Sequence, residues 1–157
     1  MAAVSFAASL DRRLVGARVV ASTRLEVFSW LSIRAARRLR THGAEEFVAL
    51  FEAREQSLST ATPEGVAFPH ALGSGIERSL AGVLTLSEPV RWDHRHPPTQ
   101  LVLATIGPRD TPHLHVRLLA EMATMAADRT RREQLLAAPS DEALLELLRT
   151  FADDAAR

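Results

Sequence analysis

Two apolar runs in the middle of the chain constrain the fold of this 157-residue sequence more than any other feature. They extend from Leu80 to Leu86 and from Gln100 to Ile106, are rich in valine, leucine, threonine and isoleucine, and are bounded by proline, glycine and charged residues. Runs of this kind are typical of strands, and the second is apolar enough to lie in the middle of a sheet. The sequence therefore predicts a β-sheet at the centre of the fold.

The segment before these runs predicts one short strand and two helices. Gly16 to Ser22 has the pattern of the strand, and Thr23 opens the first helix, where Glu26 completes a capping box. Arginines in the last turn of this helix are favourable at the negative end of the helix dipole, and Gly43 is predicted to end it. A second helix is expected from about Ala44 to Arg54.

The rest of the chain predicts another strand and two more helices. Gly65 to Phe68 is a short apolar segment that Pro69 ends. Helix returns at about Pro112 with an apolar stripe that continues weakly to Leu136, and Ser140 begins the last helix. Because helices precede, separate and follow the strands, we expect an α/β layered fold. A chain of 157 residues with 46% hydrophobic content is predicted to form a single domain over residues 1–157.

Charge and composition exclude several classes of protein. The 19 basic and 19 acidic residues give zero net charge, whereas proteins that bind bulk nucleic acid carry a positive excess. The chain has no cysteine, which excludes disulfides, thiolate zinc sites and thiol nucleophiles. All of its basic residues are arginine, so Schiff-base chemistry on lysine is excluded as well.

The start of the chain and the length of its apolar segments predict a cytoplasmic protein without membrane insertion. Met1 to Leu10 are mildly apolar but lack a basic leader, and Asp11 interrupts them, unlike a signal peptide. No stretch approaches the roughly 18 apolar residues that are needed to span a bilayer.

The histidines are the first candidates for chemistry, and the chain has six of them: His42, His70, His94, His96, His113 and His115. Two pairs have the spacing His-x-His, and imidazole is a ligand that suits zinc and nickel. A strand puts residues i and i+2 on one face, whereas a helix separates them. The first pair falls in the turn-rich segment from Asp93 to Pro98, where a solvated loop is the favoured interpretation. No metal site is predicted.

His70 differs from the other histidines in its context. It follows a buried strand end and then Pro69, which fixes the backbone and has no N–H group to pair. A histidine at this position is expected at the mouth of a sheet rather than within a core. The alternative interpretation is that His70 merely caps the strand by bonding a carbonyl.

The residues around His70 resemble the fructose–mannitol class of enzyme IIA domains of the bacterial phosphotransferase systems. The resemblance begins with Ala53-Arg54-Glu55-Gln56 and Ser59-Thr60, and then Glu64-Gly65-Val66-Ala67-Phe68-Pro69-His70 matches the family segment that ends in the phosphorylated histidine. The family arginine falls on Arg54. Downstream, the segment from His115 to Ala123 is similar to the helix that begins with the second family histidine, so that role falls on His115 and not on His113.

The resemblance extends from roughly residue 14 to residue 152 and has departures close to the histidine. Ala61 and Pro63 replace two glycines that the family often shows before its strand. After the histidine Ala71 fits the family pattern, but Leu72 replaces a basic residue. The loop before the histidine is therefore expected to differ in shape from the loop of the family.

The resemblance implies a fold and a function. The fold would be a mixed, about five-stranded sheet flanked by helices on both faces, as in enzyme IIA of the mannitol and fructose systems. His70 would accept a phosphoryl group on Nε2 from an HPr-type carrier, and Arg54 and His115 would stabilise it without a cofactor or metal. Three alternatives stay open: a nitrogen-regulatory enzyme IIA, which is slightly favoured, a sugar-specific one that donates to an enzyme IIB, and a non-catalytic sensor domain.

Overall fold

The computed structural model describes residues 4–155. No helix within these residues is long and apolar enough to cross a membrane. The elements follow in the order α1 (Phe6–Ser9), β1 (Leu10–Val19), α2 (Arg24–Leu39), α3 (Ala44–Ser57), β2 (Val66–Ala67), β3 (His70–Gly73), β4 (Leu80–Val90), β5 (Thr99–Pro108), α4 (Pro112–Ala127), α5 (Arg129–Ala137) and α6 (Asp141–Ala155).

The strands form one mixed five-stranded sheet in which β5 is central. The order is β1-β4-β5-β2, and β3 pairs with β5 as well. The β4–β5 pair is antiparallel, whereas β1 is parallel to β4 and both β2 and β3 are parallel to β5. The two apolar runs that predicted a sheet are therefore its central antiparallel pair, which confirms that prediction.

Side chains of β5 alternate between two hydrophobic cores, as the period of a strand requires. Val102, Ala104 and Ile106 belong to the core beneath α2 and α3, whereas Leu101 and Leu103 belong to the core beneath α1, α4, α5 and α6. The sheet thus has helices on both faces. This arrangement confirms the predicted α/β/α layers.

The helix ends differ in detail from the predicted ones. The Thr23 side chain accepts from the backbone N–H of Glu26, as predicted, but the Glu26 carboxylate accepts from Ser22 rather than from Thr23 itself. Helix α2 ends at Leu39, and the next residue, Arg40, caps it in the left-handed conformation with a φ of 60°, so the prediction that Gly43 ends the helix was wrong. Gly43 instead precedes α3, where its backbone N–H donates to Glu46 at 3.0 Å.

Three further elements depart from the sequence predictions. Strand β1 begins at Leu10, well before the predicted Gly16. The prediction missed this part of the strand because charged residues at its start obscure the strand pattern. Helix α1 was not predicted. The single helix predicted from Pro112 to Leu136 is two helices, because the Asp128 carboxylate accepts from the backbone N–H of Arg131 at 3.0 Å and starts a new helix there.

Candidate functional site

His70 is held against β5, the central strand of the sheet, by the backbone pairing of the short strand that it begins. It is the first residue of β3, opposite Thr105 of β5, and the Thr105 N–H donates to the Pro69 carbonyl at 3.0 Å. The sequence predicted that a strand stops before Pro69; the structure shows that a second short strand begins directly after it. Proline separates β2 from β3 because it has no N–H to donate to the ladder. His70 is therefore fixed within the sheet and is buried.

The His70 ring has a defined tautomer. Its Nδ1 lies 3.0 Å from the Phe68 carbonyl, which can only accept, so Nδ1 carries the proton. Its Nε2 lies 2.6 Å from Nε of Arg54, a permanent donor, so Nε2 presents its lone pair. Burial lowers the pKa of His70 and the Arg54 charge lowers it further, while the Phe68 carbonyl raises it in part. The result is a neutral imidazole with its nucleophilic nitrogen at Nε2.

The bond to Phe68 matches the alternative interpretation, in which His70 bonds a strand carbonyl. Capping and chemistry are compatible here, because the capped nitrogen is Nδ1 and the other nitrogen stays available. A carbonyl that fixes the tautomer is what a nucleophilic histidine requires.

Arg54 reaches His70 from the last turn of α3. Its Nη1 donates to the Leu58 carbonyl at 2.7 Å, just beyond the helix end. The guanidinium is thus held at two points, by a backbone oxygen and by the His70 lone pair. Since a guanidinium has five N–H donors, the remaining ones stay available for an anion.

His115 lies beside His70, although it belongs to α4, much later in the chain. It is in the first turn of α4 and buried, and the two imidazole centroids are 4.5 Å apart with the rings tilted by 50°. Its Nδ1 lies 3.3 Å from the Thr105 hydroxyl, while its buried Nε2 has no hydrogen-bond partner among residues 4–155. Burial lowers the pKa of His115 to about 4, with smaller effects from repulsion by His70 when that ring is protonated and by the Arg54 charge. This ring is therefore neutral at neutral pH.

The structure brings together the three residues to which the sequence assigned chemistry. Arg54, His70 and His115 come from α3, β3 and α4, and they meet at one side of β5. A half-buried cationic donor and an imidazole nitrogen without a partner among residues 4–155 lie beside the Nε2 lone pair of His70. This arrangement suits an electrophilic group that carries negative charge on its oxygens.

The other histidines lie outside this cluster of contacts. His96 pairs with the Asp93 carboxylate at 2.7 Å, and the backbone N–H groups of Arg95 and His96 donate to the same residue. His94 and His113 are exposed. Across the part of the chain that the structure describes, no group of three or more histidine, aspartate or glutamate side chains could hold a metal ion.

Sequence reasoning missed the groups that orient the three side chains. The carbonyls of Phe68 and Leu58 are backbone atoms, so no residue type marks them. Thr105 carried a weak signal, because it is a polar residue within an apolar strand and is only 1% exposed. A buried hydroxyl in such a run needs a partner, and here it is His115.

Comparisons with known proteins agree with this architecture. Residues 8–150 match the family described as the phosphoenolpyruvate-dependent sugar phosphotransferase system, EIIA 2. The nitrogen regulatory protein of Pseudomonas aeruginosa is 29% identical over 131 residues, which cover 83% of this chain and 85% of that protein. The PTS system 2-O-alpha-mannosyl-D-glycerate-specific EIIABC component of Escherichia coli is 30% identical over 130 residues, which cover 81% of this chain and 20% of that protein.

The fold has a close counterpart among solved structures. The crystal structure of nitrogen regulatory protein IIA-Ntr from Neisseria meningitidis superimposes with a TM-score of 0.83 at 21% identity, over 90% of this chain and 97% of that one. At this identity the likeness shows the fold alone, and the family rests on the match over residues 8–150. The resemblance stated from the sequence is confirmed, and the chain belongs to the EIIA 2 family of the phosphoenolpyruvate-dependent sugar phosphotransferase system, whose members are phosphotransfer components.

Proposed function

We propose that this chain is a phosphocarrier of the nitrogen-regulatory type, which accepts a phosphoryl group on Nε2 of His70 from an HPr-type phosphohistidine donor. The group is then passed on, or its presence changes which regulatory partner is bound. One observation carries the proposal: Nδ1 of His70 is held by the Phe68 carbonyl, so that Nε2 presents a lone pair to Arg54.

The transfer step balances without an added proton, metal or cofactor. The Nε2 lone pair attacks phosphorus in line, and the N–P bond of the donor histidine breaks as the new N–P bond forms. The departing donor nitrogen keeps the electron pair of the broken bond. Nδ1 of His70 keeps its proton throughout and donates it in a hydrogen bond to the Phe68 carbonyl. This hydrogen bond stabilises the positive charge that the ring gains on attack.

Arg54 has to exchange one partner for another during this step. Its Nε–H bond occupies the lone pair that attacks, so that bond breaks as phosphorus approaches. The Leu58 carbonyl keeps the guanidinium nearby through Nη1. The freed N–H groups can then donate to the phosphoryl oxygens, where charge-assisted bonds are strong and bidentate geometry is available.

His115 supplies a neutral donor to the same anion. We assign the Thr105 hydroxyl as the donor to Nδ1 of His115, which places the proton of His115 on Nε2, the buried nitrogen that has no partner among residues 4–155. A phosphoryl oxygen would satisfy that nitrogen. Because the pKa of His115 is lowered to about 4 before the donor arrives, the ring meets the phosphoryl group as a neutral dipole rather than as a second cation. A weaker hold suits a carrier that must release the group again.

The altered loop before β2 retains a regular structure, which supports a working carrier over a sensor that has lost the reaction. Ala61 pairs with Ala67 in an antiparallel bridge, and the Thr62 hydroxyl donates to the Val66 carbonyl at 2.7 Å. These bonds hold the loop without the glycines that the family often has there. The contacts of His70 are intact beside it.

The choice between branches rests on the relatives. The match to a nitrogen regulatory protein spans 85% of that protein, which favours the regulatory branch. The second candidate, a sugar-specific enzyme IIA that donates to an enzyme IIB, is favoured by the 30% identity to a sugar-specific relative that carries A, B and C components in one chain. The alignment spans 20% of that longer protein, so its activity is no guide to a whole-protein function here.

Labelling tests the proposal directly. The chain is incubated with enzyme I, an HPr-type carrier and labelled phosphoenolpyruvate, and we expect one label per chain that is labile to acid and stable to base. His70→Ala should abolish labelling, whereas His94→Ala, which alters an exposed histidine, should label like the unaltered protein. Label that persists in the His70 variant, or no label on the unaltered chain, would contradict the proposal. Addition of enzyme IIB proteins then separates the branches, since only a sugar-specific enzyme IIA loses its label to them.

A further inference from the structure

We infer that Glu55 is a positioning residue that sets the contact between Arg54 and His70 from both sides, acting through Thr60. The inference rests on the proposed function, which gives that contact its purpose. It concerns a residue beside the family arginine to which no chemistry was assigned from the sequence.

Glu55 is a buried carboxylate that gathers three donors on one oxygen. Its side chain is 5% exposed, and its Oε1 accepts from the Thr60 backbone N–H at 3.1 Å, from the Thr60 hydroxyl at 2.8 Å and from the Trp92 indole. The other oxygen, Oε2, is buried without a partner among residues 4–155. Burial of a carboxylate with an unpaired oxygen is unfavourable for stability, so stability alone gives little reason for an acid at this position.

The first consequence of the Glu55–Thr60 bonds concerns Arg54. Helix α3 ends at Ser57, and the Leu58 carbonyl that anchors Arg54 lies two residues before Thr60. The Leu58 side chain is 68% exposed and therefore has little packing to hold its own backbone in place. The Leu58 N–H donates to the Arg54 carbonyl at 3.4 Å and the Ser59 hydroxyl donates to Asp93. Thr60 ends the same turn, and Glu55 holds it through both its backbone N–H and its hydroxyl.

The second consequence concerns His70. The carbonyl of Thr60 accepts from the Phe68 N–H at 3.0 Å, and the carbonyl of Phe68 in turn accepts from Nδ1 of His70. A continuous series of hydrogen bonds therefore runs from the Glu55 carboxylate through Thr60 and Phe68 to the imidazole. Nε of Arg54 and Nε2 of His70 lie 2.6 Å apart. The positions of both groups therefore depend on the Glu55 side chain.

Trp92 gives this carboxylate a rigid support. The indole is 2% exposed and packs edge-on against Phe28 at 5.5 Å, and the Trp92 carbonyl accepts from Arg24 at 3.0 Å. Glu55 is thus tied to the core beneath α2 and α3 rather than to a surface loop. In-line transfer is sensitive to small displacements, so a carboxylate that is to position Arg54 and His70 has to be fixed itself.

The test compares Glu55→Ala, Glu55→Gln and Thr60→Val with a matched control. Thr99→Val is that control, because the Thr99 hydroxyl is also buried but has no hydrogen-bond partner within the described residues 4–155. The initial rate of phosphoryl uptake from the HPr-type carrier is measured per folded chain, with the folded fraction taken from circular dichroism. In parallel, nitrogen-15 NMR of the unphosphorylated chain follows the Arg54 Nε–H signal and its exchange with solvent.

We expect Glu55→Ala to slow uptake about tenfold, within the range that a displacement of roughly 1 Å costs. The Thr60→Val change removes one of three donors and should slow uptake about threefold. Glu55→Gln keeps an acceptor of the same shape and should recover most of the rate. The Arg54 Nε–H should exchange faster wherever uptake slows, and Thr99→Val should change neither readout.

Unchanged uptake and unchanged Arg54 exchange in folded Glu55→Ala would overturn the inference. If that variant does not fold, Thr60→Val decides in the same way. We expect Thr60→Val to fold, because it leaves the bond from the Thr60 backbone N–H to Glu55 in place. The proposed function fails separately, if the unaltered chain takes up no label. The Arg54 exchange comparison needs no phosphoryl donor, so it would still decide whether Glu55 positions Arg54.

Discussion

The Nε–H of Arg54 lies 2.6 Å from Nε2 of His70, although the two residues are 16 positions apart in the chain and belong to α3 and β3. In the proposed reaction this bond has two effects. It holds the nucleophilic lone pair in a defined direction before the donor arrives. It also keeps a permanent positive charge at the position where three phosphoryl oxygens will lie, so no cation has to be brought in when transfer begins.

Removal of the Arg54 side chain should therefore slow phosphoryl uptake strongly. We expect Arg54→Ala to lower the rate about a hundredfold, as the loss of one preorganised anion donor does in other enzymes. Arg54→Lys should recover little, because an ammonium cannot bond Leu58 and His70 through the same planar fork. The measurement is the initial rate of labelling. Arg37→Ala, an exposed arginine of α2, is the control, and equal rates in the Arg37 and Arg54 variants would contradict this role.

The tautomer of His70 is a second prediction, and it needs no donor protein. Long-range proton–nitrogen spectra at pH 7.5 should show Nδ1 protonated and Nε2 unprotonated, because the Phe68 carbonyl can only accept. Since that carbonyl and not Arg54 fixes the proton, the tautomer should persist in Arg54→Ala. An Nε2–H tautomer in the unaltered chain would remove the basis for attack from this nitrogen.

The sequence was sufficient for the residues that meet in the site, because each lies in a recognisable local pattern. Arg54 closes a helix, His70 follows Pro69 after a short apolar segment, and His115 begins a helix after a buried strand. Their order and spacing indicated the family before any contact was known. What the residue types could not provide was the bonding that orients them, because it runs through the carbonyls of Phe68 and Leu58.

The element boundaries show where local patterns lose information. The start of β1 carries charged side chains on its exposed positions, so a strand that begins at Leu10 was recognised only from Gly16. Strand β3 is four residues long and follows a proline, and tertiary pairing with β5 rather than propensity makes it a strand. Asp128 interrupts an apolar stripe that otherwise continues, and only its side-chain bond to the Arg131 backbone marks the break.

The buried neutral state of His115 predicts a pH dependence of stability. Its pKa is lowered to about 4 in the folded chain from the ordinary histidine value of 6.5, so between those pH values the unfolded chain binds more protons than the folded one. The free energy of unfolding is therefore not reduced by this group above about pH 6.5, and it falls progressively as the pH is lowered toward 4. We expect a loss of about 2 kcal/mol between pH 7 and pH 4.5, measured by urea denaturation.

Carboxylates titrate in the same range, so the His115 contribution has to be isolated by difference. His115→Gln cannot gain a proton there, and its loss of stability between pH 7 and pH 4.5 should be smaller than that of the unaltered chain. His94→Gln, at an exposed position, should follow the unaltered chain. Identical pH profiles for the His115 variant and the unaltered chain would show that the buried imidazole is not kept neutral in the way described.

Thr105 provides the last prediction, because it links the two histidines through one strand position. Its backbone is opposite His70 in the β3–β5 pair, and its hydroxyl lies 3.3 Å from Nδ1 of His115. Thr105→Val keeps the shape and the strand pairing but removes the hydroxyl that, in the proposed assignment, donates to Nδ1 of His115 and keeps the proton of that ring on Nε2. The proton would then be free to occupy either nitrogen, and part of the population would lack an Nε2–H donor for the phosphoryl group.

We expect uptake to fall about threefold with the His70 tautomer unchanged, whereas Thr99→Val should have no effect. A Thr105→Val protein that labels at the full rate would mean that His115 needs no partner to orient its proton.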